Sequence, residues 1–130
     1  MNLQLNFTRE TYTILFRIFM VFFILFYFVP TGIDFHKLSV FHLPLDYLGH
    51  ALFCFTLFFF YISSFDFEKK TKNAESLLMR VLGLAIIVSS LEFIQLFTPW
   101  RSFSWIDLLS NLSGMALGTL LAFLKKVCLK

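Results

Sequence analysis

Charge is what this chain has least of, and its scarcity excludes the most. Only 15% of the 130 residues are charged, whereas the water-facing surface of an ordinary soluble domain needs about a quarter of its residues charged. Cysteine is equally sparse: Cys54 lies inside an apolar run and Cys128 lies at the C-terminus, so neither belongs to a disulfide framework or to a metal-ligand spacing. The net charge of +3 comes from short Lys runs beside apolar segments, which excludes a phosphate-tracking surface and with it nucleic acid as a partner. The stretch Val29-Pro30-Thr31-Gly32-Ile33 has no small-x-small cleavage site, so the first apolar segment is expected to stay in the protein rather than leave as a signal peptide. Internal repeats and low-complexity linkers are also missing, and the length suits a single domain over residues 1–130.

What the chain does have is apolar surface. It is 58% hydrophobic and 20% aromatic, with 20 Phe residues and a mean hydropathy of +0.79. Water penalises that much apolar surface, and lipid does not. Long apolar runs give four spans, at about residues 12–29, 45–63, 77–97 and 103–124, each near the ~20 residues that cross a bilayer core. A backbone surrounded by lipid must satisfy its own hydrogen bonds, so each span is expected to be a helix. Pro30 closes the first span, Pro44 stands where a first helical turn tolerates proline, and Pro99 breaks the chain between the third and fourth. The expected fold is an all-α membrane protein, a bundle of four transmembrane helices.

The distribution of basic residues orients that bundle. Four spans put both chain ends and the middle loop on one side, where Arg9, Lys69, Lys70, Lys72, Arg80, Lys125, Lys126 and Lys130 lie, against only Lys37 and Arg101 on the other. Positive charge stays on the cytoplasmic side, so both termini are expected to be cytoplasmic. The loop from Pro30 to Pro44 and the turn at Pro99 to Arg101 then face outward. Trp100, Trp105 and Tyr12 suit interfacial anchoring, and Arg17 is expected to snorkel.

Within the spans stand polar groups that a simple anchor would not need. Asp46 and His50 are spaced i and i+4, Glu92 and Gln95 are spaced i and i+3, and Asp107, Asn111, Gly114 and Gly118 follow one another by 4, 3 and 4 residues. Each set falls on one helical face. Counting inward at 1.5 Å per residue places His50, Glu92 and Asn111 ~10 Å, and Asp46 and Asp107 ~3–5 Å, inside the outer ends of their spans. The shared level predicts one site, with Arg101 in the adjoining turn able to pair with a carboxylate or to hold an anionic ligand. An ionised group at mid-helix costs ~2.5–3.5 kcal/mol on insertion scales, so such residues face a bundle interior. Gly114-Met115-Ala116-Leu117-Gly118 is a GxxxG segment, expected to pack helices closely within the monomer.

These stretches together resemble the VanZ-like family, named for an accessory protein of glycopeptide-resistance clusters. The matching residues are Asp46-Tyr47-Leu48-Gly49-His50 followed by Phe53, then Glu92-Phe93-Ile94-Gln95, then Arg101-Ser102-Phe103 leading to Asp107, Asn111 and Gly114. The likeness runs from Pro44 to about Leu121, with Tyr47 where the family often has Lys and Trp100 where it often has Gly. It implies a multi-pass protein of the bacterial cytoplasmic membrane, linked in its founding case to resistance to teicoplanin, a lipid-bearing glycopeptide.

The function expected on these grounds is an outward-facing site at headgroup depth that binds, and in an enzyme would modify, an amphipathic envelope molecule: a lipid, a lipid-linked wall precursor or a lipoglycopeptide. Arg101, Gln95 and Asn111 are the candidate ligand-binding residues. Glu92 and His50 are the candidate general bases, with Asp46 or Asp107 orienting the His. Ser104 and Ser110 lack a nucleophile motif. A metal held by Asp46, His50, Glu92 and Asp107 is chemically reasonable, but a single His is thin support for zinc, and no metal or cofactor is expected. Two other classes stay open: a proton-coupled transporter subunit, which four short helices would build only as an oligomer, and a structural subunit whose polar cluster merely packs helices.

Overall fold

In a computed structural model of the chain, described for residues 8–28, 39–40, 43–65, 73–97 and 103–128, the elements are almost entirely helical. They are α1 (Arg9–Phe28), α2 (Leu45–Ser63), α3 (Asn73–Ile94) and α4 (Trp105–Cys128), with a 3₁₀ turn at Gln95–Phe97 and a two-residue antiparallel ribbon, β1 (Ser39–Val40) with β2 (Leu43–Pro44). Leu45–Ser63, Leu77–Phe97 and Trp105–Lys125 are long and apolar enough to cross a membrane. The chain is thus built as a multi-pass membrane protein.

The helix ends follow local chemistry. Thr8 Oγ1 accepts from the Thr11 N–H at 3.3 Å and its carbonyl accepts from the Tyr12 N–H at 3.2 Å, which starts α1. Ser104 does the same for α4, its Oγ accepting from the Asp107 N–H at 3.4 Å. Pro44 stands immediately before α2 rather than inside its first turn. The tightening of α3 into a 3₁₀ turn comes just ahead of Pro99 in the sequence, where the chain must leave the α conformation.

The bundle runs up and down. Arg9 Nε donates to the Ser64 carbonyl at 3.0 Å, and Lys125 donates to the Tyr12 hydroxyl with its Nζ 4.1 Å from the Tyr12 ring centroid. The start of α1 and the ends of α2 and α4 therefore share one end of the molecule. Tyr12 is buried there, held by Lys125 and edge-on to Phe59. It is not the lipid-interface anchor its sequence position suggested, because α4 supplies a cation to its ring and hydroxyl. Arg17 lies exposed.

Helices α2 and α4 are parallel neighbours, and glycine lets their backbones touch. A Cβ on Gly114 would overlap the Ala51 carbonyl, and one on Gly118 would overlap the Phe55 carbonyl. The apolar core, Phe23, Cys54, Leu57, Phe58, Leu84, Val88 and Met115, fills the middle of the bundle. Leu82, Ile86 and Ile87 of α3 and Leu109, Leu117 and Leu120 of α4 point outward. An apolar belt of that extent matches lipid as the surrounding medium.

Candidate functional site

At the end of the bundle away from both Arg9 and Lys125, the starts of α2 and α4 meet the end of α3. Asp46 and Asp107 each lie in the first turn of their helix, where the positive end of the helix dipole complements a carboxylate. One turn deeper on the same faces come His50 and Asn111, and α3 supplies Glu92. All five are buried: Glu92 and Asn111 are 0% exposed, His50 and Asp107 2%, and Asp46 7%.

The polar atoms interlock. Asn111 Nδ2 donates to Glu92 Oε1 at 2.5 Å, and Asn111 Oδ1 accepts from the Cys54 thiol at 3.1 Å. His50 Nδ1 lies 3.2 Å from Asn111 Oδ1 and 3.2 Å from Glu92 Oε1. Both of those atoms are acceptors, so Nδ1 is the ring nitrogen that carries a hydrogen. His50 Nε2 turns the other way, 3.7 Å from Asp46 Oδ1. One ligand-type atom from each of Asp46, His50 and Asp107 lies within 4.8 Å of the others.

The convergence read from spacing is therefore present in space. Asp46, His50, Glu92, Asp107 and Asn111 form one cluster, and Gln95 is buried three residues beyond Glu92, in the 3₁₀ turn that follows α3. Arg101 lies outside the described residues, as do Lys37, Pro99 and Trp100. Ser104 caps α4 through its hydroxyl, and Ser110 accepts through its carbonyl from the Ser113 hydroxyl at 2.8 Å. Sequence reasoning missed Cys54, whose place in an apolar run gives it no disulfide or metal-ligand spacing. The signal was available: Asp46, His50 and Cys54 are spaced i, i+4 and i+8, so a thiol follows the two titratable groups along one face.

An apolar groove of about 460 Å³ opens along α3 and α4, lined by Val81, Ala85, Leu112, Met115, Thr119 and Phe123 among others. It begins at Leu112, next to Asn111 in the chain, and continues toward Phe123, ~17 Å further along the helix at 1.5 Å per residue. No family model, no curated protein and no solved structure matches this chain.

What the cluster can do follows from its chemistry. Glu92 accepts from an amide and faces an imidazole N–H, so a proton added or lost there is felt by three side chains at once. His50 stands between two sets of carboxylates, the arrangement that lets an imidazole be held, oriented and charged. Stacked Phe93 and Phe103, with centroids 5.2 Å apart, join the end of α3 to the residues that lead into α4.

Proposed function

We propose that this chain is a VanZ-like protein of the bacterial cytoplasmic membrane, spanning it four times with both termini inside. Its polar cluster, at headgroup depth in the outer leaflet, binds an amphipathic envelope molecule. The observation that carries this reading is the presence of two unlike surfaces on the same helices: the buried polar cluster at one end of the bundle and an apolar groove whose lining starts at Leu112, one residue along α4 from Asn111. An amphipathic molecule has the same two parts. An acyl chain fits a groove open to lipid, and a polar headgroup fits the cluster, with Arg101 meeting a phosphate.

Helix α1 completes the four spans, since 20 residues rise ~30 Å, the thickness of a bilayer core. If the bound molecule is also modified, Glu92 and His50 are the proton-transfer pair, because each touches the other and Asp46 faces the far side of the ring. The proton-transport reading is weaker on one point. The cluster occupies one end only, and Phe23, Leu57, Phe58 and Val88 fill the interior below it. A relay needs polar steps across the whole span.

The test is lipid analysis of the protein purified in nanodiscs made from its own membrane lipids. The expected result is one lipid class enriched over the bulk, with the enrichment lost in Arg101→Ala and Glu92→Gln at unchanged yield. A wild-type profile identical to bulk lipid overturns the reading.

A further inference from the structure

We propose that Asp46, His50 and Asp107 form a binding site for a divalent transition-metal cation of the zinc class, with Glu92 orienting the histidine ligand. The inference stands on the cluster alone and does not depend on which envelope molecule the protein binds.

Three observations point to it. The first is the donor set: one imidazole nitrogen and two carboxylates, all buried, with one ligand atom from each within 4.8 Å of the others. Three protein ligands of N and O type are what an open zinc site uses, the fourth position being left to water or a ligand oxygen. Zinc bonds of ~2.0–2.1 Å at a tetrahedral angle set ligand atoms ~3.3 Å apart. His50 Nε2 and Asp46 Oδ1, at 3.7 Å, are close to that spacing. The widest pair closes by on the order of 1–1.5 Å, within the broad torsion of an aspartate side chain.

The second observation is the tautomer. Two acceptors, Glu92 Oε1 and Asn111 Oδ1, face His50 Nδ1, so the hydrogen of a neutral ring sits there and the lone pair sits on Nε2. That ring nitrogen is turned toward Asp46 Oδ1 at 3.7 Å, so a nitrogen lone pair and a carboxylate oxygen converge near the spacing of two ligands on one cation.

The third observation is the support behind the ring. A carboxylate on the far nitrogen of a metal-bound histidine is the arrangement that fixes ring orientation and raises ligand basicity. Glu92 has that place, and it is fixed in turn by Asn111 at 2.5 Å. Position and rotamer are thus set by residues that are not themselves ligands. The donor count is small and includes a ring nitrogen, which suits zinc over Ca²⁺, a cation that takes 6–8 oxygen ligands.

The experiment uses the full chain in detergent, stripped with chelator and titrated with Zn²⁺, with Ca²⁺ and Mg²⁺ as controls. Bound metal is counted by mass spectrometry after dialysis, and the melting temperature is followed in parallel. The expected result is one Zn²⁺ per chain and a higher melting temperature. Both are lost in His50→Ala and in the near-isosteric Asp46→Asn and Asp107→Asn, each checked for normal elution. Glu92→Gln is expected to keep the stoichiometry and bind about 10–100-fold more weakly, as losing an orienting carboxylate does elsewhere. Stoichiometric Zn²⁺ binding that survives in all three ligand variants places the ion elsewhere, at His36, His42 or Cys128, and overturns the proposal. So does an absence of binding in the wild type. Neither result bears on lipid enrichment, so the two readings fail separately.

Discussion

At the scale of single residues, the side chain that fixes the others is Asn111. Its amide bridges α2 to α3, accepting from Cys54 at 3.1 Å and donating to Glu92 at 2.5 Å. A leucine there removes both contacts and leaves Glu92 Oε1 facing His50 but without the Asn111 amide. The expected loss for Asn111→Leu is about 1–3 kcal/mol, the cost of a buried polar group losing one of its partners. That is more than the ~0.6 kcal/mol averaged by interhelical hydrogen bonds in membranes. Chemical unfolding in mixed micelles checks it, and a loss near zero would show that the network does not hold the bundle together. Glu92→Gln separates charge from shape. It keeps the side chain's size and can still accept from Asn111, so membrane abundance is expected to stay normal. Function in an envelope or lipoglycopeptide-sensitivity assay is expected to fall at least tenfold, and full activity would end the case for Glu92 as acid, base or counter-ion.

Among the helices, the contact that sets the site is the parallel pair α2 and α4. Their closeness depends on two positions where a methyl group would collide with a carbonyl, Gly114 against Ala51 and Gly118 against Phe55. Backbone cannot move aside as a flexible side chain can, so each added Cβ pushes the helices apart. Gly114→Ala is expected to cost about 1–3 kcal/mol and to loosen the cluster one turn above it, weakening whatever binds there. Gly49 and Gly83 offer the internal control, because a Cβ at either meets nothing within 4 Å. Alanine at those positions is expected to be neutral or up to ~1 kcal/mol stabilising through helix propensity. Equal effects at Gly49 and Gly114 would show that propensity, not contact, governs the pair. At the other end, Tyr12→Phe keeps the ring under Lys125 but deletes the hydroxyl it donates to. A small loss, about 0.5–1.5 kcal/mol, is expected in the same unfolding measurement.

For the whole molecule the property with the largest consequence is orientation, since it decides which leaflet the cluster faces. The structure puts the start of α1 and the end of α4 at the same end, so one label reports both. Cys128 is exposed near the C-terminus and Cys54 is buried in the core, which makes the native chain suitable for thiol labelling. A membrane-impermeant maleimide is expected to leave intact cells unlabelled and to label Cys128 in inverted vesicles. Reporter fusions after Glu68 and at Lys130 should read inside, and a fusion near Lys37 outside. Labelling of intact cells at Cys128 would invert the protein and move the cluster to the inner leaflet.

Much of this was legible before any coordinates, because a bilayer imposes rules that one-dimensional patterns obey. Length and hydropathy marked residues 45–63 and 77–97 as helical spans; the first matches α2 residue for residue, and the second covers most of α3, which starts earlier at Asn73, and the 3₁₀ turn that ends it. The spacings of Asp46 and His50, and of Asp107 and Asn111, marked the inward faces, since 3.6 residues per turn is a property of the backbone and not of the fold. Tertiary structure alone decided the partners. Nothing in GxxxG names the surface it packs against, and only the bundle chose the Ala51 and Phe55 carbonyls. The burial of Tyr12 depends on Lys125, 113 residues away. The recruitment of Cys54 depends on Asn111, 57 residues away. The hydrogen on His50 Nδ1 depends on acceptors from two other helices. Periodicity tells a side chain which way to face, but a hydrogen bond between distant residues exists only once the chain has brought both ends to within about 3 Å.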